Sequence, residues 1–315
     1  MRKPIVVIGS LNADFVVSTP KLPREGETIL GREFNLFPGG KGANQSVGIA
    51  RLGGIVTLVG KVGADDQALL LRNSLTQAGV NLAGLIEDPS SHTGVAFIQV
   101  ADTGVNSIVV VPGANMRLAP SDLLAFDSLL NHAEMIVLQN EIPLETGLEA
   151  ARMGKKAGAM ILYNPAPFQK GADKLCRIAD LVVPNEIELA ELTGLPVSAD
   201  GEVKTAAAAL RSAYGLKTVI VTLGARGSLV MNEKGSKFLP ALPVQARDTT
   251  AAGDAFIAGL AVSLSEGKNW GEAAWFATLV AGYSVTLLGA QSSLPTRRDL
   301  ERFQIQHPNF FPRPS

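Results

Sequence analysis

Short apolar runs punctuate the chain, each closed by turn-forming residues: IVVIGS (5–10), IVTLVG (55–60), MIVLQN (135–140), MILYNP (160–165), LVVPNE (181–186) and TVIVTLG (218–224). They are rich in Val and Ile and lack polar alternation, the pattern of strands buried on both faces of a parallel sheet. Between them the apolar period lengthens to that of a helix, as in DQALLLRNSLTQAG (66–79), ETGLEAARMGKKAG (145–158) and EIELAELTG (186–194). Each ends in Gly where a helix commonly turns left-handed. Strand and helix alternating in this way predict right-handed βαβ units and an α/β fold: a three-layer α/β/α sandwich around a mostly parallel central sheet.

Two segments break the rhythm. ADFVVSTPKLPREGETILGREFNLF (13–37) and HTGVAFIQVADTGVNSIVVVPG (92–113) read as consecutive strands joined by polar turns, and GVAFIQVA alternates with period two. A small β-sheet outside the main one is therefore expected over about 13–38 and 92–113, serving as a lid, an oligomer interface or both. No linker, repeat or low-complexity tract divides the chain, so residues 1–315 are read as one domain with this β lid. The Pro-rich tail HPNFFPRPS (307–315) is read as irregular, with a Phe pair able to dock.

Composition narrows the functional classes. With 46% hydrophobic and 18% charged residues the chain is of globular type. Its net charge of −1 gives no basic bias toward nucleic acid or an anionic membrane. The one cysteine, Cys176, allows no intrachain disulfide, and three scattered histidines make no structural zinc site. The stretch 270–288 is interrupted by Glu272, Thr278, Gly282 and Ser284 and reads as a buried helix, since a membrane span needs about 20 apolar residues. The N-terminal apolar run is too short for a signal peptide, so a cytoplasmic location is expected.

Four stretches carry candidate chemistry. RDTTAAGDAFIAGL (247–260) sets Asp254 directly behind Ala251, Ala252 and Gly253 at the mouth of an apolar helix. An acid in a first turn suits the helix dipole, and Asp248 or Thr249 can cap the same helix; that is the structural reading. Against it, no acid stands three residues after Thr249 or Thr250 to make a capping box, and small residues at a helix N-terminus expose N–H groups that bind phosphate. A carboxylate beside such an anion site is what a hydroxyl needs in order to attack that phosphate. In FPGGKGANQSVGIARLGG (37–54), glycines 39, 40 and 42 open a helix with Ala43, Val47, Ala50 and Leu52 on its face. The stretch is neither a Walker A loop nor a dinucleotide fingerprint. A tight turn accounts for the glycines, while Lys41 and Asn44 can hydrogen-bond a polyhydroxyl ligand. In GSLNAD (9–14), Asn12 and Asp14 point the same way from an extended segment at a strand end, either as turn residues or as ligand contacts. In PNEIELAELTG (184–194), Asn185 and Glu188 lie one helical turn apart, as cap and solvated face or as part of a Mg²⁺–phosphate network. No G-x-G-x-x-G follows IVVIG, which argues against a dinucleotide oxidoreductase.

Taken in order, GSLNAD, GGKGANQ (39–45), LQNEIP (138–143), NPAP (164–167), PNEIE (184–188), VTLGARG (221–227), DTTAAGDAF (248–256) and GAQSSLP (289–295) resemble the motifs of the ribokinase-like (PfkB) carbohydrate kinases over nearly the whole chain. The resemblance implies transfer of the γ-phosphoryl of ATP to O5 of D-ribose, giving ribose 5-phosphate and ADP; sibling kinases act on deoxyribose, another sugar or a nucleoside. It implies Asp254 as general base, with the amides of Ala251, Ala252 and Gly253 as anion hole. Asn12, Asp14, Gly40, Lys41, Asn44 and Glu141, with Asp254, are implied as sugar contacts. Asn185, Thr222, Gly224, Gly227, Gly253 and Thr278 are implied at the nucleotide, with Glu188 organising Mg²⁺. A monovalent cation, K⁺, is implied at Asp248, Thr250, Ser284, Leu287, Gly289 and Ser293, and a homodimer through the lid. Ala255 and Ile257 stand where relatives commonly carry polar residues. A different class, a binding protein with weakened catalysis, is separated from these by the turnover of Asp254→Asn.

Overall fold

The computed structural model describes residues 4–308; residues 309–315 of the Pro-rich tail, with its Phe pair, lie outside the described residues. The first half begins with strands β1 (Ile5–Ile8), β2 (Asn12–Thr19) and β3 (Glu33–Gly39), then helix α1 (Lys41–Arg51), β4 (Val56–Val62), α2 (Asp66–Ala78) and β5 (Asn81–Glu87). It continues with β6 (Gly94–Ala101), β7 (Asn106–Val111), α3 (Asp127–Asn131), β8 (Met135–Leu138) and α4 (Leu144–Ala157). The second half has β9 (Met160–Tyr163), α5 (Asp173–Cys176), β10 (Leu181–Val182), α6 (Glu186–Thr193), α7 (Asp200–Tyr214) and β11 (Thr218–Thr222). A hairpin of β12 (Ser228–Asn232) and β13 (Gly235–Leu239) follows, then α8 (Ala252–Ser265), α9 (Trp270–Ser284) and α10 (Arg297–Gln306).

Nine strands form the central sheet in the order β13-β12-β11-β10-β9-β8-β1-β4-β5, parallel from β11 through β5, with β12 and β13 antiparallel at one edge. The runs rich in Val and Ile become its middle. Val7 faces one core, with α1, α2, α8, α9 and α10, while Val6 and Ile8 face the other, with α4, α6 and α7. This is why those runs carry no polar alternation: both sides of the strand are covered. The predicted helices end as read, with Gly79, Gly158 and Gly194 all left-handed at their C-caps.

Three strands of this sheet escape the pattern reading, β5, β12 and β13. They lie at or near the edges, and β5 and β13 are largely exposed or half-buried, so they lack the continuous apolar runs of the inner strands. Conversely, LVVPNE supplies only a two-residue strand, β10, because Pro184 cannot donate to the ladder. The segments that broke the rhythm form a separate four-stranded sheet in the order β3-β2-β6-β7, with β2 and β6 parallel. The interrupted stretch 270–288 is helix α9 as far as Ser284, and no helix among the described residues is long and apolar enough to cross a membrane.

Candidate active site

The strand order reverses around β1, which lies between β8 and β4, and in open α/β sheets such a reversal opens a crevice at the carboxyl ends of the strands. The polar residues of the site leave the sheet there. Gly9 to Asn12 follow β1, Gln139 to Glu141 follow β8, Asn164 follows β9, and Asn185 follows β10 and bridges to Thr222.

Helix α1 brings its first turn to this edge, and only glycine permits it. Gly40, the N-cap, has φ 87°, and a Cβ there would lie 2.7 Å from the Asn12 amide nitrogen. A Cβ on Gly42 would lie 2.5 Å from the Gly9 carbonyl carbon. Farther along, Gly48 lets α1 press against Ala258 of α8. The tight-turn reading of these glycines is thus correct, and its consequence is that α1 and α8 meet at Asp254. That side chain is 5% exposed. Its Oδ2 accepts from Asn44 Nδ2 at 3.0 Å and its Oδ1 from Gln45 Nε2 at 2.9 Å.

The residues expected at a sugar gather around it. Asn12 Oδ1 accepts from Asn115 Nδ2 at 2.8 Å, and Asn115 also clamps the Leu11 main chain. Glu141 Oε2 accepts from the Lys41 amide at 3.1 Å and from the Ser10 hydroxyl, so it caps α1 from another segment. Asn44 is turned toward Asp254, and its buried Oδ1 has no partner among the described residues. That oxygen is an acceptor in search of a donor such as a hydroxyl. Burial, then the charges of Glu141 and Asp254, push the Asp14 carboxyl up to about 7. Burial acts to lower the Lys41 ammonium, but the carboxylates of Asp254, Glu141 and Glu188 outweigh it and leave it raised.

Asp254 also lines a cleft of about 790 Å³. All six expected nucleotide residues, Asn185, Thr222, Gly224, Gly227, Gly253 and Thr278, line it, together with Lys41 and Asp254. The sequence reading missed its apolar wall, where Leu242, Pro243, Val244, Ala281 and Val285 form a slot suited to a flat ring.

The start of α8 corrects two expectations. Neither Asp248 nor Thr249 caps the helix through its side chain. The N-cap is Ala251, the one non-glycine residue with positive φ (59°) among the described residues. The anion hole also differs from three free amides: Ala252 N donates to the Thr249 carbonyl at 3.2 Å, while the amides of Ala251, Gly253 and Asp254 have no acceptor among the described residues. A Cβ on Gly253 would meet nothing within 4 Å, so that position opens into the cleft. Ala255 and Ile257 are buried at 0% and 1%, where apolar side chains belong.

Asp248 has another task. Its oxygens accept from the amides of Thr250 and Gly289, each at 2.8 Å, which joins two of the loops expected at a monovalent cation. Ser284 and Leu287 adjoin through a bond from the Leu287 amide to the Ser284 carbonyl, and the Ser293 hydroxyl is bonded to the Ala290 carbonyl. Asn185 and Glu188 form a reciprocal capping box at the start of α6, as the cap reading had it, but Glu188 does not stand on a solvated face: it is buried, at 5% exposed. Burial raises the Glu188 carboxyl, against the opposing Asn185 amide and Lys41. No group of three or more acidic, His or Cys residues able to hold a metal occurs among the described residues. The carboxylates of Glu186, Glu188 and Asp254 line the cleft, and hard oxygen donors of this kind suit a hard cation carried on phosphate oxygens.

Gln45, Gln139, Asn115, Asn164 and Ser10 contribute to this arrangement and were not singled out from the sequence. The available signal was an amide at the end of a wholly apolar run (MIVLQN, MILYNP), since a buried amide must find a partner.

Residues 2–297 match the family model described as pfkB family carbohydrate kinase. The chain is 40% identical over 308 residues to the ribokinase of Haemophilus influenzae, covering 98% of this chain and 100% of that one. It is also 40% identical over 294 residues to the deoxyribokinase of Salmonella typhimurium, covering 93% and 95%. Among solved structures, Arabidopsis thaliana ribokinase complexed with ribose and ATP superposes with a TM-score of 0.88 at 34% identity, covering 96% of this chain and 98% of that one.

Proposed function

We propose that this chain, which belongs to the pfkB family of carbohydrate kinases, transfers the γ-phosphoryl group of ATP to O5 of D-ribose. The observation that carries the reading is the position of Asp254: a buried carboxylate held on both oxygens, bonded to Asn44 and lining the same open cleft as Lys41 and Gly253. A sugar hydroxyl is too weak an acid to ionise at neutral pH, so a base must take its proton as the new O–P bond forms. Asp254 receives that proton. Asn12, Asp14, Lys41, Asn44, Glu141 and the Gly40 turn hold the sugar so that O5 faces the carboxylate.

The free amides of Ala251 and Gly253 cradle the transferring phosphoryl, and the tie from Ala252 to Thr249 keeps that turn in place. Asn185, Thr222, Gly224, Gly227 and Thr278 hold the nucleotide, with the adenine in the apolar slot. Glu188 would help to hold Mg²⁺ carried by the phosphates, and that ion would supply neutralisation of their charge. Asp248, Thr250, Ser284, Leu287, Gly289 and Ser293 would hold a K⁺ ion, whose charge would steady the loop that ends at the anion hole. Positioning and electrostatics supply the acceleration.

The four-stranded sheet serves as lid and dimer surface. Leu36, Phe15, Phe97 and Val109 are cross-strand neighbours in one row. Leu36, Phe97 and Val109 are 38–61% exposed, which is apolar area suited to a second copy. We place the enzyme in the cytoplasm, in keeping with its lone cysteine and substrates.

A coupled ADP-release assay over D-ribose, 2-deoxy-D-ribose, hexoses and nucleosides, with and without K⁺, tests the reading. Ribose ranks first by kcat/KM if it is right. The equal identity to a deoxyribokinase keeps one second reading in view, and 2-deoxyribose outranking ribose would establish it in place of the first.

A further inference from the structure

We infer that Gln45 and Gln139 are positioning residues for phosphoryl transfer: together they fix the rotation of the Asp254 carboxylate. The inference rests on the reading of Asp254 as the base that receives the sugar proton. Both glutamines are buried, Gln45 at 0% and Gln139 at 2% exposed. Neither lines the nucleotide cleft, and neither is among the residues assigned to the sugar.

The direction of their hydrogen bonds is set from the main chain inward. Asn164 Nδ2 donates to the Val183 carbonyl at 2.9 Å, which turns Asn164 Oδ1 toward Gln45. Gln45 Nε2 therefore faces two oxygens, Asn164 Oδ1 at 3.4 Å and Asp254 Oδ1 at 2.9 Å, and can only donate. Its carbonyl, left over, accepts from Gln139 Nε2 at 2.6 Å. A flip of Gln45 would set its oxygen against a carboxylate and its NH₂ against the Gln139 NH₂, so each amide locks the next. Gln139 reaches this place because residue 9 is glycine: a Cβ there would lie 2.0 Å from Gln139 Oε1.

The two donors on Asp254 differ in what else they do. Asn44, on Oδ2, has an unpaired buried oxygen that can receive a sugar hydroxyl, so its geometry responds to the substrate. Gln45 has its carbonyl tied to Gln139, so its hold on Oδ1 persists when the sugar leaves. The carboxylate is thus preset before substrate arrives, which is the condition for a base to meet an incoming hydroxyl without reorganisation.

The test measures kcat and sugar KM at saturating ATP between about pH 6 and 9 for wild type, Asp254→Asn, Gln45→Leu, Gln45→Glu and Gln139→Glu, with a thermal melt of each. Gln45→Leu is expected to lower kcat by roughly 10- to 100-fold, the cost of a displaced reactive group, while sugar KM moves about threefold or less. In Gln45→Glu the introduced carboxyl repels Asp254 when ionised and donates to it when protonated, so kcat recovers as pH falls. Gln139→Glu acts at one remove: it takes the donor from the Gln45 carbonyl and lowers kcat less. If Gln45→Leu or Gln45→Glu does not fold, Gln139→Glu and its pH profile carry the test. Wild-type kcat in the folded variants overturns the inference. So does a loss of kcat that follows the loss of melting temperature with no pH recovery, because it assigns the glutamines to packing. Should Asp254→Asn itself turn over normally, the base reading fails first; an inactive Asp254→Asn beside fully active glutamine variants removes the positioning role alone.

Discussion

The N-termini of α1 and α8 carry the same signature, a row of residues with almost no side chain, and they converge on one carboxylate for opposite reasons. At α1 the missing side chains are filled by protein: Cβ atoms at Gly40 and Gly42 would strike the main chain of residues 9–12. At α8 the missing side chain is filled by nothing, since a Cβ on Gly253 has no neighbour within 4 Å. One terminus is small so that backbone can pack on backbone and bring Asn44 and Gln45 to Asp254. The other is small so that a ligand can approach free amides. Glycine in a motif therefore reports closeness, and only the surroundings say whether the close object is the protein or its substrate.

The sharpest probe of this contrast is the residue on which both termini meet. Asp254→Asn is expected to lower kcat on the order of 10²–10⁴-fold, the usual worth of a general base, with little change in the melting curve. Loss of the folded state without any specific loss of kcat would show that the acid serves structure.

Next comes a crossed pair. Gly42→Ala should cost roughly 1–3 kcal/mol of stability, as forced overpacking does, measured by denaturant titration. Gly253→Ala should leave stability within roughly 0.5 kcal/mol, as substitutions without clashes do, yet raise the ATP KM or lower kcat about tenfold through misplacement of the phosphates. If the two variants fail in the same way, the distinction between the termini is wrong.

A smaller effect lies on the sugar side. With Asp14 raised to about 7 by burial and by Glu141 and Asp254, the ionised form that best accepts sugar hydroxyls is depleted below neutrality. We expect kcat/KM for the sugar to fall as pH drops below about 7, and Asp14→Asn to replace that limb with a lower, flat profile. Linkage fixes the sign for the ligand-free protein. A carboxyl whose folded pKa is raised contributes stability below its unfolded pKa, near 4, and loses it as pH rises through the folded value. Asp14→Asn should therefore gain in melting temperature over wild type as pH rises from about 4 to about 7; a constant difference would remove the shifted acid from the account.

The smallest effect belongs to Ala251. At φ 59° an alanine bears a left-handed strain of roughly 1–2 kcal/mol. Ala251→Gly relieves it and incurs about 0.5–1 kcal/mol of backbone entropy, so stability should hold or rise slightly, reversing the usual sign for glycine at a helix. A clear loss would mean that the Ala251 methyl packs usefully against the turn.

Much of this protein is legible along the chain. Continuous Val/Ile runs bounded by turn residues suit strands covered on both sides, and a 3.6-residue period closed by Gly suits a capped helix, so the six inner strands and the helices named from pattern stand where expected, while β5, β12 and β13 do not show in the pattern. Asp254 was visible from its place at a helix start, whereas Thr222, Gly224, Gly227 and Thr278 came only from the family resemblance, since nothing local to them marks a ligand. What sequence could not decide was long-range pairing. Whether Asp248 caps α8 or ties Thr250 to Gly289, whether Asn44 faces a sugar or Asp254, and that Gln139 donates to Gln45 across 94 positions depend on atoms that meet only after β1, β8 and β9 lie side by side. Secondary structure follows from neighbours a few residues apart, each with its own preference. The orientation of a buried amide follows from whichever distant donor or acceptor the packed core sets against it, and that is fixed only by the tertiary fold.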